Sequence, residues 1–124
     1  MNNRTPLARV EGLGAARAGT GHFWRQRVTA VALAPLSVWF VWTALSLIGA
    51  GREATVAFLK LPFNAVPMGL FIVIAAIHMA LGIQVVIEDY IEHEGRKIVL
   101  LVLNQFFAWI VAAASIFALV RIAL

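Results

Sequence analysis

Three long runs of the sequence contain no Asp, Glu, Lys or Arg, and they constrain the fold more than any other feature. They cover residues 28–51, 61–87 and 98–120, which is 24, 27 and 23 residues. Each run exceeds the roughly 18 to 20 apolar residues that cross a hydrocarbon core of about 30 Å. A soluble domain of 124 residues could not bury three such segments. The sequence therefore predicts an all-α integral membrane protein with three transmembrane helices, at about residues 28–51, 63–88 and 98–121.

The composition excludes several soluble classes of protein. Only 13% of the residues are charged, whereas an ordinary soluble domain is about a quarter charged. The net charge of +4 comes without a basic stripe interleaved with aromatic residues outside the runs, so nucleic acid is not an expected partner. The chain has no cysteine, which excludes disulfides, zinc–thiolate sites and iron–sulfur clusters carried by this chain. The first run is also longer than the apolar part of a signal peptide, so we expect it to be retained.

The distribution of positive charge predicts the orientation in the membrane. With three spans, residues 1–27 and the connection at 88–97 lie on one side, and this side carries seven Lys and Arg. The other side carries three, Arg52, Lys60 and Arg121. By the positive-inside rule, residues 1–27 form a cytoplasmic arm and residues 28–124 form the transmembrane domain. We expect a bacterial cytoplasmic membrane; in a mitochondrial inner membrane the arm would face the matrix, but it lacks the serine typical of a transit peptide.

His78 is the only ionisable side chain inside the three runs. It precedes Glu88 by ten residues, which places it about 15 Å from the end of its helix and close to the bilayer centre. A polar group at that depth is costly unless it is paired, so it is a candidate functional residue. The alternative is a neutral histidine that only hydrogen-bonds to a neighbouring helix.

The helical face around His78 is the second part of this candidate site. The residues within about 60° of it on the helix are Phe71, Ala75, Gly82, Val85 and Asp89. Ala75 and Gly82 leave space beside the imidazole, which could receive another helix or a flat macrocycle whose iron binds the ring nitrogen. Because His22 and His93 lie outside the runs, a six-coordinate haem would need its second ligand from another subunit.

Asp89 and Tyr90 follow at the end of the same helix. An acid and a tyrosine are ordinary residues at a membrane interface. They could also line a pocket for a small lipid-soluble molecule at headgroup level. In that case the phenol donates a hydrogen bond to a carbonyl oxygen, and the carboxylate holds the phenol or passes a proton from water.

The segment His78-Met-Ala-Leu-Gly82-Ile-Gln84-Val-Val-Ile-Glu-Asp89-Tyr90, together with Arg27-Val-Thr29-Ala at the first helix entry, resembles a known family. The family is the hydrophobic membrane anchor of succinate dehydrogenase, specifically the D-type small subunit of cytochrome b556 in respiratory complex II. The resemblance implies a helical bundle completed by a second anchor, the large cytochrome b556 subunit. It also implies an iron–sulfur subunit and a flavoprotein subunit as further partners.

The resemblance also implies roles for individual residues. His78 corresponds to one axial ligand of haem b, with the small Gly82 beside it, and Arg27 to an arginine near the haem propionates, which His22 would assist. Tyr90 corresponds to the hydrogen-bond donor to ubiquinone, and Asp89 to its supporting carboxylate. The main alternative is a haem-free structural or assembly subunit of another membrane complex, in which His78 is only packed.

Overall fold

The computed structural model describes Thr5 and residues 19–124 of the chain. These residues form four helices and no strand: α1 (Gly19–Ser46), α2 (Gly51–Lys60), α3 (Pro62–Tyr90) and α4 (Glu94–Ala123). Three of them, α1, α3 and α4, are long and apolar enough to cross a membrane, with mean hydropathies of 1.8, 2.5 and 2.2. The predicted all-α fold with three candidate spans is therefore confirmed.

The observed helices do not end where the charge-free runs end. Helix α1 begins at Gly19 and α4 at Glu94, both before the positions expected from the runs. The reason is that Arg, Lys, Glu and Gln are good helix formers, so charges at the headgroup layer do not interrupt a helix. The expected arm at residues 1–27 thus includes the first turns of α1. Its basic residues Arg4, Arg9 and Arg17 lie outside the described residues.

Helix α1 ends earlier than expected, at Ser46, because of the turn that follows it. Gly49 and Gly51 adopt left-handed backbone angles, with φ of 79° and 76°. Residues with a Cβ atom disfavour this conformation, but glycine adopts it readily. The chain then forms α2, a short helix to which the sequence analysis assigned no structure. This helix carries the charges of the first connection and packs against α3 and α4.

Helix α3 is the centre of the molecule, with α1 and α4 on opposite faces. Toward α1, the ring of Phe71 stacks on that of Phe40 at 4.6 Å between centroids. Toward α4, the carbonyl of Ala80 accepts a hydrogen bond of 2.8 Å from Asn104 Nδ2. Phe71 and Ala80 are nine residues apart, which is about 180° around the helix. In the described part of the chain the backbones of α1 and α4 are not in contact, although Arg25 of α1 lines a cavity with residues of α3 and α4, so the spans form a layer with two open sides.

Candidate functional site

The side chain of His78 lies half-buried where α3 faces α1. Its Nδ1 atom is 2.9 Å from the hydroxyl oxygen of Thr29, which lies about three turns into α1. The same hydroxyl is 2.8 Å from the carbonyl oxygen of Arg25 and 3.1 Å from that of Gln26, both in its own helix. One ring nitrogen of the candidate ligand is therefore engaged inside this chain.

The other ring nitrogen of His78, Nε2, is free to meet a ligand. It has no hydrogen-bond partner in residues 19–124 and does not belong to the fully buried polar atoms that lack one, so it retains accessible surface. The described residues contain no group of three or more His, Cys, Asp or Glu that could hold a bare metal ion. Haem iron needs no such group, because its macrocycle supplies four ligands and a neutral imidazole with one nitrogen hydrogen-bonded is a suitable axial ligand. The residues present thus fit a haem.

Gly82, one turn from His78, faces a polar side chain of α1. A Cβ atom added at Gly82 would lie 3.7 Å from Gln26 Nε2, which is ordinary contact. His22, Gln26 and Thr29 follow one another at intervals of four and three residues, so they share one face of α1. The atoms His22 Nε2 and Gln26 Oε1 are buried there without a hydrogen-bond partner. The sequence analysis missed Gln26 and the contact of Thr29, although the polar spacing 22, 26, 29 was a signal for them.

Arg27 does not share this face. It lies two residues before Thr29, which is about 160° around α1, and its side chain is exposed. Its guanidinium carbon is 3.4 Å from the ring centroid of Phe23, one turn earlier. The structure therefore brings His78 and Gly82 of α3 together with the face of α1 that carries His22. Arg27 lies on the other side of α1, which no described helix covers.

The depth of these residues follows from the contact between Thr29 and His78. Because α1 and α3 are antiparallel, ten residues toward the start of α1 and ten toward the end of α3 both cover about 15 Å. Gly19 is therefore level with Glu88. By the same rise per residue, Arg27 and His22 lie about 3 Å and 10 Å nearer than Thr29 to this end of the molecule.

Asp89 and Tyr90 occupy the last two positions of α3, where both are exposed. Asp89 lies on nearly the same face of α3 as His78, but Tyr90 is turned about 120° from His78. Their side chains form no hydrogen bond with each other, and 79% of Tyr90 is accessible. An apolar cavity of about 460 Å³ lies instead along α3 and α4, lined by small residues such as Ala76 and Ala108. A pocket at Asp89 and Tyr90 therefore needs a wall from another molecule.

Comparison with known proteins adds the family to this geometry. The family model described as succinate dehydrogenase/fumarate reductase transmembrane subunit matches residues 1–112. The chain belongs to this family. A succinate dehydrogenase hydrophobic membrane anchor subunit of Paracoccus denitrificans is 36% identical over all of this chain and 95% of its own length. One of Rickettsia conorii is 32% identical over 94% of this chain and 93% of its own length. No solved structure gives a significant match.

Membership of the succinate dehydrogenase and fumarate reductase transmembrane family confirms the predicted resemblance. A further relative, the succinate dehydrogenase membrane anchor subunit of Reclinomonas americana, is 35% identical over 74% of this chain and 79% of its own length. By their names, these relatives are membrane anchor subunits of succinate dehydrogenase, an enzyme complex. The relatives from Paracoccus and Rickettsia support a bacterial membrane as the location.

Proposed function

We propose that this chain is the small membrane anchor of a succinate:quinone oxidoreductase. In this function His78 is one axial ligand of haem b, and Asp89 and Tyr90 form part of the site where ubiquinone is reduced. One observation carries the proposal: the single ionisable side chain of the charge-free runs has one ring nitrogen bound within the chain and the other accessible. A histidine that served only packing would have no need of a free nitrogen at this depth.

The surroundings of His78 support a planar cofactor beside it. Ala75 and Gly82 add almost no side-chain volume next to the imidazole, and the sides of the helix layer are open. His22 lies nearer to the membrane surface on the face of α1 that meets His78, where it can pair with a haem propionate, whereas Arg27 has a suitable depth but lies on the other face of α1. When bound, haem supplies a one-electron carrier. No second histidine lies within the charge-free runs, so a second histidine ligand would come from the other anchor subunit.

The large exposed surface of the three spans supports a second anchor subunit as a partner. Only 6%, 22% and 11% of the most apolar segments of α1, α3 and α4 is buried. A second anchor with three helices would cover one open side of the layer and complete a bundle. The iron–sulfur and flavoprotein subunits would dock at the end of α3 that carries Asp89 and Tyr90, on the cytoplasmic side with the N-terminus.

At the quinone site, each residue has a distinct task. The phenol of Tyr90 donates a hydrogen bond to a carbonyl oxygen of ubiquinone and so holds the ring at the membrane surface. The carboxylate of Asp89 orients that phenol or passes protons from cytoplasmic water. Reduction to quinol takes two electrons from the iron–sulfur partner and two protons from this side. The high exposure of both residues fits a site whose other wall belongs to a partner.

The test is a reduced-minus-oxidised spectrum of the purified complex carrying His78→Leu, with His93→Leu as the matched control at an exposed position outside the spans. We expect the b-type α-band to disappear with His78→Leu and to persist with His93→Leu. His78→Met keeps a weak ligand and should shift the band, which covers the case in which the leucine variant fails to assemble. An unchanged band in both His78 variants would support the haem-free structural alternative instead.

A further inference from the structure

We propose that Thr29 is a positioning residue for His78, and that its hydroxyl fixes the imidazole in the tautomer that binds iron. The inference rests on the proposed haem ligation by His78. Two groups define it: the hydroxyl oxygen of Thr29 on α1 and the Nδ1 atom of His78 on α3, 2.9 Å apart.

The direction of this hydrogen bond decides which ring nitrogen carries the proton. A threonine hydroxyl has one proton to donate and two lone pairs to accept with. The Thr29 hydroxyl lies 2.8 Å from the carbonyl oxygen of Arg25, one turn earlier, so its proton is donated to that carbonyl. Its oxygen then accepts from Nδ1–H of His78. On these distances we assign the Nδ1-protonated tautomer, which leaves the lone pair of Nε2 for a metal.

Thr55 shows the same behaviour of a threonine hydroxyl where no histidine is near. Its Oγ1 donates to the carbonyl oxygen of Gly51, one turn earlier in α2, at 3.0 Å. In Thr55 the bond to the preceding turn thus forms without an imidazole nearby. Thr29 differs in that its oxygen also lies 3.1 Å from the carbonyl oxygen of Gln26 and has a partner, His78, across the helix interface.

The opposite arrangement would leave His78 unable to bind iron. If the Thr29 proton were donated to Nδ1, the ring proton would sit on Nε2, and the accessible nitrogen would have no lone pair. No other described residue forms a hydrogen bond with His78, although Gln26 Oε1 is buried nearby in α1 without a partner. Thr29 is thus the one residue of 19–124 that forms a hydrogen bond with this imidazole.

An acceptor on Nδ1–H also has an electronic effect. It increases the basicity of the ligating nitrogen, as other groups behind metal-bound histidines do. A more basic axial ligand favours ferric over ferrous iron, so the hydroxyl of Thr29 lowers the reduction potential of a haem held by His78. Thr29 is β-branched, which limits its rotamers and keeps the oxygen in place.

The experiment compares Thr29→Val, Thr29→Ala and Thr29→Ser in the intact complex, with Thr55→Val as the matched control. Valine and alanine remove the acceptor, serine keeps it, and Thr55→Val removes the same intrahelical bond without affecting an imidazole. The readouts are the midpoint potential of the haem, its spectrum and the amount of haem per complex. We expect valine and alanine to raise the potential or lower the haem content, and serine and the control to match the wild type.

The outcomes separate this inference from the proposed function. Wild-type potential, spectrum and haem content in both valine and alanine variants would overturn the role of Thr29. A serine variant that behaves like valine would overturn it as well, because the hydroxyl would then not be the active group. If the α-band is unchanged in both His78 variants, haem ligation itself fails, whatever the Thr29 variants show. Loss of haem with valine and alanine but not with serine supports the proposal.

Discussion

At the scale of single residues, the role of an isolated polar side chain in a membrane depends on the groups that it contacts. His78 was found from the sequence because 74 residues of the charge-free runs contain no other ionisable group. Its partner Thr29 was not found as such, because the two residues are 49 positions apart and meet only when α1 packs on α3. The same holds for Gly82, whose neighbour is Gln26 of α1.

Tyr90 provides the prediction at this scale. Tyr90→Phe removes the phenol hydroxyl and keeps the ring, so we expect a loss of one hydrogen bond to quinone, about 0.5–1.5 kcal/mol or roughly a twofold to tenfold slower quinone reduction. Oxidation of succinate by a soluble artificial acceptor should stay normal, because that reaction bypasses the membrane site. Both rates are measured on the purified complex.

Two acidic residues near Tyr90 provide a further test of the quinone site and its control. Asp89→Asn should slow quinone reduction, whereas Glu92→Gln, at an exposed position after the end of α3, should not. Equal loss of both activities in the Tyr90 variant would indicate failed assembly. An unaffected quinone rate in both the Tyr90 and Asp89 variants would show that quinone is bound elsewhere.

At the scale of the helices, α3 holds α1 and α4 by different kinds of contact. Toward α1 it uses ring stacking and the polar pair of His78 with Thr29. Toward α4 it uses small buried residues and the side chain of Asn104, whose Nδ2 donates to the Ala80 carbonyl. In an apolar surrounding such an interhelical hydrogen bond fixes the relative position of two helices.

Asn104→Leu should therefore weaken the packing of α3 on α4. The loss of one buried hydrogen bond is expected to lower the free energy of unfolding by about 0.5–1.5 kcal/mol. Part of this loss is offset because leucine also removes the Oδ1 atom, which is buried without a partner. The measurement is the denaturant midpoint of the purified complex. Gln105→Leu, at the next and exposed position of α4, should leave the midpoint unchanged. Equal shifts in the two variants would contradict a specific role of Asn104.

At the scale of the whole molecule, the chain is a layer of three spans with both sides open. Such a layer leaves large apolar surfaces for lipid and for partner subunits. The predicted orientation rests on the charge difference between the two ends, and it sets the side from which the proposed quinone site would take up protons. With α2 on one side and the α3–α4 connection on the other, the two ends can be distinguished chemically.

The absence of cysteine from the sequence allows a direct test of the orientation. Ala54→Cys in α2 and His93→Cys between α3 and α4 each introduce a single exposed thiol. With a cytoplasmic N-terminus, a membrane-impermeant maleimide should label residue 54 in cells with a permeable outer membrane. Residue 93 should react only after the inner membrane is opened. The reverse labelling pattern would overturn the predicted orientation and the cytoplasmic origin of the protons.

Much of the fold follows from local properties of the sequence. The number and approximate position of the spans are fixed by where charges are absent, since a charge is costly in hydrocarbon wherever the rest of the chain lies. The predicted ends of the helices were less accurate than their number, and α2 was not predicted. The reason is that charged residues at the headgroup layer form helices as readily as apolar ones.

The sequence by itself determined the class of protein, the three spans and the candidates His78, Asp89 and Tyr90, because the cost of polar groups in a membrane is a property of each residue. Only the tertiary structure decided that α3 lies between α1 and α4, that Thr29 meets His78, and that Arg27 points away from that contact. These facts depend on the rotation and register of one helix against another. Packing between residues that are far apart in the sequence sets both.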